Sequence, residues 1–224
     1  MVFGALVRNL TKNQMNLSNH LTLEMAEASH TAKVRKIDNT APMQVKVALA
    51  FVGKKVYDPI CEKFGKVLVT SGYRSPLLNT AIGGAKLSAH TRGEALDLDM
   101  RATGLSNIDL FYFILENIEF DQLIAEFEKG GEPEWVHVSY KESGNRRQAL
   151  IAVRIGKDVV YHTFTKKLFN RFYRKAANKS LLFDMFVEAE TGVVESGEGA
   201  PSINALKADA YDRRHKSNGD QPKQ

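Results

Sequence analysis

The sequence predicts an α+β fold on three observations: one long stretch of helical periodicity, several short β-branched runs after it, and a run of strict alternation among them. Over residues 41–64 the apolar positions Val45, Leu49, Val52, Val56, Ile60 and Phe64 recur every three or four residues, with Pro42 early and Gly65 just past the end. That is the punctuation of a capped amphipathic helix. Pro59 has no amide hydrogen and is expected to kink the last turns. Residues 66–70 form a short β-branched run that ends at Ser71 and Gly72, a strand followed by a turn. After a loop carrying Gly83 and Gly84, residues 94–100 alternate strictly, which puts Leu96 and Leu98 on one face and Asp97 and Asp99 on the other. Ser106 can cap a helix running to about Ile118, and residues 122–127, 135–140 and 148–155 read as three further strands. The expected product is a small, mostly antiparallel sheet flanked by helices.

Past residue 160 the texture changes. Phe164, Leu168, Phe172 and Ala176, joined by Phe169 and Tyr173, make an apolar helical stripe, while Lys166, Lys167, Arg171, Arg174, Lys175 and Lys179 supply much of the rest. This basic amphipathic helix has two readings. Its stripe docks on the preceding domain with the cations simply solvated, or it adheres to anionic envelope material or a membrane surface. Residues 161–206 are taken as this helical extension and 207–224 as a disordered polar tail.

Composition closes several doors. The 224 residues are 43% hydrophobic and 25% charged, which excludes global disorder. A single cysteine, Cys61, excludes an internal disulfide and a cysteine-type zinc knuckle, so any metal must sit on histidines and carboxylates. Cys61 itself reads as a packed thiol, with no His, Cys or base near it in sequence to activate it. No run approaches the ~18 apolar residues of a membrane span. The first seven residues lack the charged lead and the cleavage site of a secretory signal, so conventional export is not expected. The net charge of +5 suggests an anionic partner: nucleic acid, membrane surface or acidic wall polymer. Nucleic acid is the least expected of these, since no recognised DNA motif or RNA stacking platform is present.

The densest chemistry lies between Ser88 and Asp99 and again between Glu134 and His137. His90 approaches a strand whose polar face carries Asp97, and the two can meet one ion if the chain turns at Gly93. A second histidine from a neighbouring strand, His137, completes three ligands. Two imidazoles and a carboxylate suit zinc, and a catalytic zinc site needs three protein ligands with a fourth position left open. Glu134 precedes His137 by three residues, and on a regular strand such a pair faces opposite ways. Glu134 is therefore expected where the strand begins, with Pro133 loosening the backbone so that its carboxylate can bend over the metal and act as general base. Arg74, in the turn after the first core strand, is the cation expected near a developing oxyanion.

Ser71-Gly72-Tyr73-Arg74-Ser75-Pro76, the Ser-x-His-x-x-Gly-x-Ala-x-Asp string from Ser88 to Asp97, and the Glu-x-x-His of Glu134 and His137 together resemble the zinc D-alanyl-D-alanine peptidase family. The likeness covers residues 15–155 and is greatest to the phage and prophage branch. It implies the Hedgehog/DD-peptidase fold for residues 15–160, after an extension at residues 1–14. It further implies one zinc ion on His90, Asp97 and His137, Glu134 as base, Arg74 stabilising the tetrahedral intermediate, and Ser88 touching substrate. The activity expected is hydrolysis of an amide bond in the peptide part of peptidoglycan. The protein would be a monomer, made in the host bacterial cytoplasm and released to the cell wall, or else carried in a virion. The alternative is a non-catalytic, zinc-stabilised wall-binding or virion structural module, which would need a damaged base or a blocked pocket.

The remaining polar residues have plainer readings. His20, His30, His162 and His215 are surface or satisfied core histidines. Asp99 either orients a ligand or pairs with a Lys or Arg. Gly83 and Gly84 form a turn and not a phosphate cradle, because no Lys-Ser/Thr follows at the required spacing.

Overall fold

In the computed structural model, which describes residues 15–173, the chain starts with two short helices that periodicity did not announce, α1 (Leu23–Glu27) and α2 (His30–Arg35). Each is started by a hydroxyl: Thr22 accepts from the Met25 amide and Ser29 from that of Ala32. The extension at 1–14, the part of 161–206 beyond residue 173 and the tail at 207–224 lie outside the described residues.

The long helical run is continuous from residue 43 to 64 but is built in three pieces. They are α3 (Met43–Val52), a π turn at Gly53–Tyr57, and α4 (Asp58–Phe64), with Pro42 at the N-cap and Gly65 at φ 80° ending it. The kink expected at Pro59 takes the form of this wide turn, in which the Asp58 amide donates to the Gly53 carbonyl five residues back. Asp58 is buried and accepts from the Ser18 hydroxyl and from the amides of Asn19 and His20, which ties the N-terminal segment to the helix. Cys61 is buried on α4 and burial raises its pKa, so the packed-thiol reading holds.

Six strands follow, β1 (Leu68–Ser71), β2 (Ala95–Asp99), β3 (Gln122–Lys129), β4 (Glu132–Ser139), β5 (Gln148–Ile155) and β6 (Asp158–Thr163), with α5 (Pro76–Ala81) and α6 (Asn107–Asn117) between them and α7 (Lys166–Phe172) after. Their spatial order is β1-β2-β4-β3-β5-β6, and every neighbouring pair is antiparallel except β3 and β5. The expected α+β class and mostly antiparallel sheet are therefore what forms. The tight β3–β4 connection uses Gly130 and Gly131, both at positive φ. Strand β6 and helix α5 were not anticipated from the sequence.

The two faces of the sheet do different jobs. Leu96, Leu98, Leu123, Ala125, Val136, Val138 and Ile151 point into the main core, where they meet Val52, Val56 and Ile60 of the long helix and Leu110, Phe111 and Ile114 of α6. Helix α7 joins this core: Phe169 is 1% exposed with its ring 4.8 Å from that of Phe111, and Phe164, Leu168 and Phe172 pack alongside. The start of the basic helix is thus docked by its apolar stripe. The other face of the sheet carries Asp97, Glu126, Trp135 and His137 and opens on a cleft of about 800 Å3. Among the described residues no helix is long and apolar enough to cross a membrane.

Candidate metal centre

The centre is assembled from one turn and two neighbouring strands. Asp97 on β2 lies directly opposite His137 on β4, and the alternation that sends Leu96, Leu98, Val136 and Val138 into the core sends both polar side chains to the cleft. His90 comes from a 3-10 turn at Ala89–Arg92, closed by Gly93 at φ 73°. A Cβ at Gly93 would lie 2.6 Å from the Val45 carbonyl oxygen of α3, so only glycine lets the chain turn this close to the helix. A bulge in β1, where the register slips between Val69 opposite Leu98 and Ser71 opposite Asp97, aims Ser71 and Gly72 at the same spot.

His90 Nδ1 lies 2.6 Å from the Gly72 carbonyl oxygen. A carbonyl can only accept, so Nδ1 carries the hydrogen and Nε2 turns its lone pair inward. That Nε2 is 3.1 Å from Asp97 Oδ1 and 3.2 Å from His137 Nδ1, and His137 Nδ1 is 2.8 Å from Asp97 Oδ1. All three residues are buried. Two lone-pair nitrogens and a carboxylate this close, out of water, repel one another unless a cation sits between them. The donor set and its convergence fit a zinc ion, with His90 Nε2, Asp97 Oδ1 and His137 Nδ1 as the holding atoms.

The electrostatics are those of a cluster that takes up a proton or a cation. Burial pushes the His90 pKa down, which keeps the ring neutral, as a ligand must be. Burial works against ionising Asp97, but the charge of His90 and the hydrogen bonds from His137 and His90 outweigh it and hold the carboxyl well below the usual range. For His137, burial is outweighed by the hydrogen bond to Asp97 and its charge, so its pKa is raised. Arg74 grips the other oxygen, Nη2 to Asp97 Oδ2 at 2.5 Å, while its Nε donates to Ser71 Oγ at 2.8 Å. Arg74 and Ser88 both line the cleft.

Glu134 is placed differently from the rest. Strand β4 starts three residues earlier than expected, with Glu132 opposite Lys129 and Pro133 opposite Glu128, so Glu134 lies inside the strand and not at its start. Its carboxylate accepts from Lys129 Nζ at 2.8 Å and from Arg154 Nη1 at 3.4 Å, and it is not among the residues lining the cleft. The structure thus brings His90, Asp97, His137, Arg74 and Ser88 together and leaves Glu134 in ion pairs to one side. Asp99 resolves toward its plainer reading, held by Arg101 and by the Asn107 amide.

Among the cleft residues that sequence reasoning missed is a glutamate. Glu126 on β3 lies opposite Trp135 and shares the cleft face with His137. Burial, followed by the charge of Asp97, pushes its pKa up to about 7. Applying period two to residues 122–127, with Leu123 and Ala125 inward, would have put Glu126 on the same side as Ile124.

A sheet with one face sealed by helices and the other opening a cleft over a buried His-Asp-His cluster is an arrangement able to hold a metal ion within reach of a substrate. Residues 17–139 match the profile of the family Peptidase M15, and the chain belongs to that family, the zinc D-Ala-D-Ala carboxypeptidases. It is therefore a metallopeptidase. The matched span contains the three holding residues, Arg74, Ser88, Glu126 and Glu134. No curated protein matches the chain.

Proposed function

We propose that this chain is a zinc-dependent peptidoglycan peptidase that hydrolyses an amide bond in the stem peptide or cross-link, and that it serves as a phage or prophage lysin. The observation that carries the reading is the buried triad His90, Asp97 and His137 on the lining of an open cleft of about 800 Å3. A zinc ion held by these three would supply Lewis acidity to polarise the scissile carbonyl and acidify a water. Around that point the chain's own groups divide the work. Arg74 is a cation in the cleft wall, placed to offset charge gathering on the carbonyl oxygen, and it also fixes Asp97. Ser88, also on the lining, offers a hydroxyl to the peptide backbone, and Arg92 and Arg154 there favour a substrate that carries carboxylates, as wall stem peptides do.

The lysin role draws support from the resemblance of the motifs to the phage branch and from the basic stretch that begins in α7, where Lys166, Lys167 and Arg171 precede further cations in the sequence. In this reading the protein acts as a monomer, is made in the bacterial host cytoplasm and reaches the wall on release. The basic stretch holds it to anionic envelope material, and nucleic acid is not a partner.

The test is mass spectrometry of purified peptidoglycan digested by the zinc-loaded protein with and without a chelator. New amino termini that appear only without chelator support the reading, and their masses name the bond. Zinc-loaded protein that leaves the wall peptides intact overturns it.

A further inference from the structure

We propose that Glu126, and not Glu134, is the carboxylate that takes the proton from the attacking water and returns it to the leaving amine. The inference rests on the peptidase reading and assigns a catalytic residue within it.

The placement follows from register. On β3, Ile124 stands directly opposite His137 and Glu126 directly opposite Trp135, so Glu126 is the diagonal neighbour of His137 on the cleft face. Diagonal neighbours across antiparallel strands lie about 7–8 Å apart at Cα, within the reach of a glutamate. Glu126 lines the cleft together with Arg74, His90, Asp97 and His137. The groups that act on it, Asp97, His137, Arg74 and Arg154, do so through charge and not through hydrogen bonds, which leaves its oxygens available.

The residue after it carries a backbone outlier. Phe127 has φ 58°, a left-handed conformation that a bulky side chain rarely adopts, in the middle of a strand. This breaks the alternation: Phe127 packs with Ile124, Ala152 and Trp135 and lines the cleft beside Glu126. Arg154 lies over its ring at 3.5 Å while bonding Glu134. The Phe127 ring thus lines the cleft beside Glu126, and Arg154, stacked on that ring, bonds the other glutamate.

The competing carboxylates are spoken for. Glu134 is held by Lys129 and Arg154, and the Lys129 hydrogen bond heads the causes that lower its pKa. Asp121 is tied to Arg146 and Lys141, and Asp99 to Arg101. Glu126, in contrast, is in no ion pair among the described residues and lines the cleft with Asp97 and His137.

The step balances without a co-reactant. A water O–H bond breaks, its proton goes to a Glu126 Oε and its oxygen bonds to the scissile carbonyl carbon. The C–N bond then breaks, and the proton on Glu126 leaves with the amine nitrogen.

The experiment compares wild type, Glu126→Gln, Glu126→Asp and Glu134→Gln on three readouts: zinc affinity by chelator competition, kcat and KM on a soluble stem peptide, and binding of acetohydroxamate to the zinc-loaded proteins by calorimetry. A base loses about 100-fold or more in kcat on neutralisation. Expected for Glu126→Gln is that loss, with KM and zinc affinity within about threefold of wild type and acetohydroxamate binding weakened about tenfold, since the carboxylate that would share the probe's proton is gone. Glu126→Asp should keep zinc and fall between, and Glu134→Gln should keep kcat within about threefold. The proposal is overturned if Glu134→Gln loses kcat while Glu126→Gln keeps it. It is overturned equally if Glu126→Gln raises KM alone, the mark of a substrate-ammonium clamp, or if it loses zinc affinity more than about tenfold, the mark of a fourth ligand. Should Glu126→Gln not fold, the aspartate variant decides by the same criteria. If wild type cuts no wall peptide, the peptidase reading fails by itself, and the acetohydroxamate arm still decides Glu126: unchanged binding in Glu126→Gln rejects it.

Discussion

Arg74 and Asp97 form a 2.5 Å ion pair that uses only one of the two aspartate oxygens, leaving Oδ1 to face His90 and His137. The pair sets the direction of a ligand. Because Arg74 is also hydrogen-bonded to Ser71 on the bulged end of β1, the strand, the cation and the carboxylate are locked as one unit.

Replacing Arg74 should therefore be felt by the metal before it is felt by substrate. Arg74→Gln is expected to weaken zinc about 10–100-fold, the cost of removing a group that orients a ligand. Arg74→Lys should recover part of this, because a lysine keeps the charge but cannot reach Ser71 and Asp97 with separate nitrogens. Chelator competition monitored by a zinc dye measures both. Unchanged affinity in the glutamine variant would limit Arg74 to the cleft wall.

Removal of the metal should destabilise the fold around the cleft. With zinc absent, two buried imidazoles and a buried carboxylate face one another with a proton as their one recourse, whereas zinc binding to the native state adds RT ln(1 + [Zn]/Kd), about 4 kcal/mol at a thousandfold excess over Kd. A chelator should lower the melting temperature of wild type by several degrees. It should leave His137→Ala unmoved, since that variant has no complete site to empty. Differential scanning calorimetry with matched chelator blanks reads this directly.

Gly72 should tolerate no side chain. A Cβ there would lie 2.5 Å from the Ala26 carbonyl oxygen and 2.8 Å from Ala26 Cα, both backbone atoms of α1, so strand and helix must part. Gly72→Ala is expected to cost about 1–3 kcal/mol in urea unfolding. It should also weaken zinc, because the Gly72 carbonyl is what fixes the His90 ring. A variant with lowered stability and untouched zinc affinity would separate the two roles and reject the second.

Asp121 should govern part of the acid limit. It is 3% exposed and paired with Arg146 and Lys141, and although burial opposes ionisation, the Arg146 and Lys141 hydrogen bonds lower its pKa to about 2. A depressed carboxylate contributes stability that is present above its unfolded pKa and lost as the pH falls, here between about pH 4 and pH 2. The contribution is at most about 2 kcal/mol. Unfolding measured across that window should be steeper for wild type than for Asp121→Asn, and identical slopes would assign the acid loss to other groups.

Much of the scaffold was legible because it rests on local periodicity. The long helix, β2 and α6 lie close to where apolar spacing put them, and the alternation of Leu96 and Leu98 with Asp97 survives as core on one side and metal centre on the other. The elements that escaped, α1, α2, α5 and β6, are six residues or fewer, too short for a period to stand out. The π turn escaped for another reason: Pro59 announces a disturbance but not which hydrogen-bond pattern absorbs it.

By itself the sequence determined the fold class and singled out His90, Asp97 and His137, which the structure brings together, and Arg74, which lines the cleft, since each stands in a motif legible from residue type and spacing. Which glutamate faces the metal centre was decided only by tertiary structure. Glu134 reads as the base when β4 begins at Trp135. Once pairing with β3 extends β4 back to Glu132, its carboxylate goes to Lys129 and Arg154. Glu126 reaches the cleft because Ile124 pairs with His137, a register set by two strands together and by the core that seals their other face.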